Sequence, residues 1–144
     1  MASFEGLWES VEGAGLSVFG FPDEDEKTTY GDLRIPKLLS LMIYGDPDAK
    51  VHGLNEFPRE TRPPLFITFQ TYHVMIGLGG LFALISLFGI LLLLRKKLFE
   101  SEWYLKILLL AIPLPIISNE MGWMAAEIGR QPWAVYNVLK TADA

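Results

Sequence analysis

LFITFQTYHVMIGLGGLFALISLFGILLLL, residues 65–94, runs for thirty positions without a formally charged side chain. About 20 predominantly apolar residues suffice to cross the hydrocarbon core of a bilayer, so this stretch predicts a transmembrane helix over residues 65–97. Pro63-Pro64 breaks any helix that precedes it. Arg95-Lys96-Lys97 follows it and marks the cytoplasmic edge by the positive-inside tendency. Segment 1–64 is then expected on the outer side. Residues 98–103 read as a cytoplasmic turn, and a second transmembrane helix over 104–130 returns the chain outwards, opened by Trp103 and Tyr104 as an interfacial aromatic pair. Pro113 and Pro115 remove backbone donors in its middle, which predicts a kink or local unwinding there. Residues 131–144 are an external tail leading towards a further helix.

Composition agrees with a membrane class. Hydrophobic residues make up 51% of the 144 positions, and the mean hydropathy is +0.29, high for a soluble domain that must cover its core with polar groups. The net charge of −5 is unevenly distributed: residues 1–64 hold 12 acidic and 6 basic side chains, whereas residues 65–144 hold 5 and 6. An acidic, water-exposed half argues against nucleic acid as a partner. The absence of cysteine excludes thiolate metal sites, iron–sulfur clusters and disulfides within these residues. MASFEGLWES, at the start, has neither a basic n-region nor an apolar h-region and is not a signal peptide.

Segment 1–64 reads as mostly irregular. FGFPDEDEKTTYGD (19–32) is acidic and turn-rich, and IPKLLSLMIYGD (35–46) suggests one brief helix packed against a partner. Sixty residues of this kind bury little apolar surface alone. The fold expected is therefore all-α and integral to the membrane: two transmembrane helices preceded by a mostly irregular external segment, forming part of a larger bundle.

Polar residues at the outer ends of both helices carry the functional question. At about 1.5 Å per helical residue, Met75 and Glu127 each lie roughly 30 Å from the cytoplasmic edge, near the outer boundary. Glu120 and Glu127 are seven apart, about two turns, which puts them on one face with Trp123 and Met124 beside them. Glu127 and Arg130 at i,i+3 are read most simply as an interfacial ion pair. Glu120 resists that reading, because a carboxylate near the membrane normally faces a bundle interior, a water cavity or a cofactor. By base rate Met75 is core filling and His73 a hydrogen-bonded histidine, two positions from Met75 and therefore off its face. Gly77, Gly79 and Gly80 allow close helix approach or room for a flat macrocycle. Residue chemistry alone ends at an intramembrane polar site facing outward.

Four motifs together resemble subunit I of the cytochrome bd family of quinol oxidases. They are YHVMIGLGG (72–80), IPLP (112–115), NEMGW (119–123) and GRQPW (129–133) preceded by Glu127. MASFEGLWE (1–9) resembles the middle of that subunit's external quinol-binding loop, so the likeness covers essentially the whole chain, in order. The resemblance implies an all-helical membrane oxidoreductase of a prokaryotic plasma membrane respiratory chain. Quinol is oxidised at the outer, periplasmic face, and electrons pass through a low-spin haem b, a high-spin haem b and haem d to reduce O2 to water. It implies that Met75 is an axial ligand of the low-spin haem iron and that Glu127 is the carboxylate associated with the high-spin haem b iron. A thioether raises the potential of its iron, which suits electrons arriving from quinol. By the same resemblance Trp123 lies between haems, Arg130 suits a haem propionate, and Glu5 is the loop glutamate that accepts a hydroxyl proton from quinol. His73 stands near the low-spin haem where many relatives have arginine. Glu5 and Trp123 are thus the catalytic candidates, and Met75, Glu127, Arg130, Trp123 and His73 the cofactor-binding ones.

Implied partners are the helices of subunit I that carry the remaining haem ligands, subunit II, small accessory subunits, quinol, O2 and membrane lipid. Besides His73 in place of arginine, two departures accompany the likeness. The lysine that commonly stands five positions before the loop glutamate has no place ahead of Glu5, and the histidine ligands lie outside residues 1–144. His52 does not replace them, since it sits in the acidic loop. The chain alone is therefore expected to be inactive, either as a piece of subunit I or as a naturally split subunit. The rival readings are a non-catalytic two-span membrane protein that binds a partner through its acidic loop and dimerises through Gly77, Gly79 and Gly80, and a haem-binding sensor without turnover.

Overall fold

The computed structural model describes residues 1–144 and divides into two units, one of residues 1–73 and 124–144 and one of residues 74–123. Two stretches are long and apolar enough to cross a membrane, Leu65–Leu94 and Glu102–Gly129.

In the first unit, chain order is α1 (Ala2–Glu5), β1 (Val11–Glu12), β2 (Leu16–Asp23), β3 (Thr28–Ile35), α2 (Leu38–Tyr44) and β4 (Lys50–Val51). The start of α3 (Leu65–Leu94) and the end of α5 (Leu114–Gly129) follow, then β5 (Trp133–Val135) and β6 (Leu139–Lys140). The strands form three separate antiparallel pairs, β1 with β4, β2 with β3 and β5 with β6. The all-α expectation, with 1–64 mostly irregular, is corrected here. FGFPDEDEKTTYGD folds as a hairpin because Asp23 Oδ1 accepts the backbone N–H of Asp25 and Glu26, at 2.9 and 3.1 Å, closing a turn between two eight-residue strands. α2 occupies the middle of IPKLLSLMIYGD and stops at Gly45, whose φ of 72° donates its N–H to Leu41 O at 2.9 Å.

Leu7, Trp8, Ala14, Leu39, Val51, Leu54 and Leu65 form the buried core of this unit. The first residue of α3 thus joins the core of segment 1–64. Glu24 reinforces that join: one carboxylate oxygen accepts the backbone N–H of Leu65 at 3.1 Å and the other pairs with Arg59, also at 3.1 Å. An acidic group at a helix N-terminus satisfies an orphan donor and complements the dipole.

In the second unit, α3 ends at Leu94, three residues short of the expected boundary. Lys96 takes φ 57° and Lys97 N–H bonds Leu92 O at 2.9 Å, a Schellman stop with three cations at the negative end of the dipole. The return segment is α4 (Glu102–Ala111) and α5, interrupted at Ile112-Pro113, where proline cannot donate. Tyr104, only 4% exposed, lies against Gly89 and donates its hydroxyl to Ile85 O at 2.9 Å, filling a polar need inside an apolar face.

Candidate functional site

Glu5 closes α1 and is wholly buried, with 0% of its surface exposed. Gly6 follows at φ 54° and turns the chain back towards the β2–β3 hairpin. There Glu5 Oε2 accepts the backbone N–H of Ser17 at 2.8 Å, whereas Oε1 is buried without any partner. Burial pushes the Glu5 carboxyl above the usual carboxylate range, opposed by the Ser17 N–H and then by the positive fields of His73 and Arg34. A buried carboxyl with one free oxygen and a raised proton affinity is equipped to receive a proton from a hydroxyl donor.

His73 belongs to the same cluster. Its Nε2 lies 3.0 Å from Ser17 O and its Nδ1 2.8 Å from Phe69 O, and the ring stacks on Phe69 at 3.9 Å. Both ring nitrogens are engaged by carbonyl oxygens, which leaves neither to a metal. Two partners of Glu5, Ser17 and Arg34, and the Asp32 carboxylate that joins them carry no signal of their own in the sequence. They meet only because the hairpin register sets Ser17 opposite Arg34. A separate cavity of about 320 Å³ in this unit is lined by Ala2, Ile43, Val51, Leu54 and Tyr136 among others, and Glu5 is not in its wall.

Within residues 74–123, Met75 opens onto a cleft of about 660 Å³ that it shares with Phe82, Ser118, Asn119, Glu120, Gly122 and Trp123. Gly122 lies against the thioether: a Cβ there would stand 2.6 Å from Met75 Sδ, so a larger residue would displace the sulfur. The Ser118 hydroxyl donates to Met75 O at 3.4 Å. Gly77, Gly79 and Gly80 have nothing within 4 Å of where a Cβ would be, so α3 is open at each of these positions. Trp123 is 63% exposed, its indole free to meet another flat group. A soft sulfur donor seated on a glycine, beside a cleft with one aromatic wall, fits a planar metal macrocycle bound through sulfur.

Glu127 and Arg130 form the expected i,i+3 pair at 2.5 Å, with side chains 42% and 59% exposed. At that exposure a pair contributes roughly 0–1 kcal/mol, so stability alone is a weak reason for it. Gly129, between them in sequence, passes Phe4 so closely that a Cβ would lie 2.6 Å from the ring.

Comparison with known proteins matches this arrangement to one family. The family model described as cytochrome bd terminal oxidase subunit I matches residues 1–144. A Bacillus subtilis protein provisionally named a cytochrome bd menaquinol oxidase subunit I is 40% identical over 145 residues, covering 99% of this chain and 32% of that protein. The cytochrome bd ubiquinol oxidase subunit 1 of the same organism is 34% identical, covering 100% of this chain and 33% of the relative. Among solved structures, the bd oxidase from Geobacillus thermodenitrificans superposes with a TM-score of 0.81 at 33% identity, over 99% of this chain and 33% of that one. The chain thus spans about a third of the length of these relatives. With the match running from the first residue to the last, over a fold that the solved oxidase shares, the chain belongs to the cytochrome bd terminal oxidase subunit I family.

Proposed function

We propose that this chain supplies the quinol-oxidising loop and two haem-iron ligands to a bd-type quinol:oxygen oxidoreductase, working with the other helices of subunit I and with subunit II. The observation that carries the reading is Glu5, a fully buried carboxyl with one oxygen lacking any partner. Such an oxygen accepts the hydroxyl proton as quinol is oxidised and leaves Oε2 on the Ser17 N–H to hold the side chain still. The Met75 thioether would hold the low-spin haem b iron, with Gly122 fixing the sulfur's position. Glu127 would hold the high-spin haem b iron, Arg130 would pair with a propionate, and Trp123 would pack against a macrocycle face. Haem b and haem d, when bound, supply one-electron transfer and the reduction of O2 to water. Segment 1–64 works at the outer face of a prokaryotic plasma membrane, since the triple cation at Arg95–Lys97 holds the opposite end of α3 on the cytoplasmic side.

Two substitutions in an assembled oxidase test the ligand assignments. Glu127→Ala is expected to remove the high-spin haem b absorption while the low-spin band persists; an unchanged high-spin band contradicts the assignment. Gly122→Ala improves helix propensity by about 1 kcal/mol, so the helix stays folded, but the new methyl displaces the thioether. The low-spin band or its potential should shift without loss of assembly, and an unmoved band and potential would place Met75 Sδ away from the iron.

A further inference from the structure

Arg34 is built around Glu5 in a way that an ion pair does not explain. Its Nη2 lies 3.3 Å from both Glu5 O and Gly6 O, so one guanidinium nitrogen holds two successive carbonyls at the end of α1. Its Nε donates to Asp32 Oδ2 at 2.5 Å. The other Asp32 oxygen accepts the Ser17 hydroxyl at 3.0 Å, and the Ser17 N–H in turn holds Glu5 Oε2. The bonds close a ring from the Glu5 backbone through Arg34, Asp32 and Ser17 to the Glu5 carboxylate. Arg34 and Asp32 side chains are only 28% and 19% exposed, so water competes weakly for these bonds. An arginine whose task was to neutralise Glu5 would present its fork to the carboxylate. Here it grips the backbone instead, and the ring leaves one polar atom of Glu5 unused, Oε1.

We propose that Arg34 is a positioning residue of the quinol site, fixing the Glu5 segment through Asp32 and Ser17 so that the free carboxylate oxygen is aimed at the hydroxyl of a bound quinol. This rests on Glu5 being the proton acceptor. The charged and titratable side chains around Glu5 are Arg34 and its partner Asp32 from β3, and Tyr72 and His73 from α3. Among them Arg34 is the cation that the hairpin register itself delivers. Its field favours the ionised carboxylate, the form that accepts a proton. Removing it raises the proton affinity of Glu5 further and moves the acid limb of the pH–rate profile to higher pH.

The test uses a complete oxidase complex carrying Arg34→Gln, Arg34→Lys or Glu5→Gln. It follows quinol-driven oxygen consumption against pH, haem spectra, and oxygen consumption with an artificial one-electron donor that bypasses the quinol site. Arg34→Gln should lower the quinol-driven rate about ten- to a hundredfold and move the acid limb up by about one pH unit. Haem spectra and the bypass rate should match the parent. Arg34→Lys keeps the charge and loses the fork, so its limb should stay in place while its rate falls several-fold. A parent-like rate and limb in Arg34→Gln, with Glu5→Gln impaired, overturns the role of Arg34 alone. If the glutamine variant does not assemble, a parent-like rate in Arg34→Lys overturns it instead. Parent-like turnover in Glu5→Gln removes Glu5 as the acceptor, and the Arg34 proposal with it.

Discussion

Met75→Leu in an assembled oxidase is expected to abolish the low-spin haem b absorption and to cut quinol-driven oxygen consumption by more than about a hundredfold. Loss of an outer-shell partner of a metal ligand commonly costs 10–100-fold, and loss of the ligand itself should exceed that. Leucine is close to methionine in volume, and such core exchanges usually cost under about 1.5 kcal/mol, so the helices should still assemble. What disappears is the sulfur lone pair. Met75 faces Gly122 across the cleft, where the leucine branch would meet the glycine backbone without a donor atom to present. Dithionite-reduced spectra of variant and parent membranes check this. A low-spin band of parent size in the variant would assign Met75 to packing alone, its base-rate role.

Glu5→Gln is expected to lower quinol oxidation by about 10²–10⁴-fold with every haem band intact. A second outcome makes the result specific. The folded protein holds the Glu5 proton more tightly than an unfolded chain does, because burial disfavours the carboxylate. Native Glu5 therefore contributes most favourably below the ordinary carboxylate pKa, and that contribution is lost as pH rises through the raised folded value. Glutamine carries no such charge. At neutral pH the variant should be as resistant to thermal loss of its haem bands as the parent, or more so, while being far slower with quinol. Reduced turnover accompanied by a marked loss of thermal resistance would point to a damaged loop rather than a missing proton acceptor.

How much could be read beforehand varies by element, for physical reasons. Residues 65–94 were legible because an uninterrupted apolar run has one stable solution in lipid, a helix that bonds its own backbone. The interruption near Pro113 was legible because proline lacks a donor. The β2–β3 hairpin was not. Its register shifts between Ser17 and Phe19 and again between Phe19 and Phe21, so the side chains lose the period of two that identifies a strand. Gly20 and Pro22 look like turn residues, yet Gly20 lies where a Cβ would stand 2.7 Å from a Thr29 methyl across the hairpin.

The candidate site divides in the same way. The Glu127–Arg130 pair follows from i,i+3 spacing and is present in the fold. Glu5 and Met75 stood out through family likeness, because a single glutamate and a single methionine carry no pattern of their own. The ring of Ser17, Asp32 and Arg34 depends on hairpin register, and the bond from His73 to Ser17 O joins residues 56 apart in sequence. No local pattern encodes contacts at that separation.

The most direct measurement is rapid mixing of quinol with an anaerobic complete oxidase complex, parent against Glu5→Gln, with haem reduction followed optically and dithionite added at the end. Quinol should reduce the parent haems quickly and the variant haems at least about a hundredfold more slowly, while dithionite reduces both to the same extent. Reduction of the variant by quinol at the parent rate would contradict the assignment of quinol oxidation to this loop and its buried carboxyl.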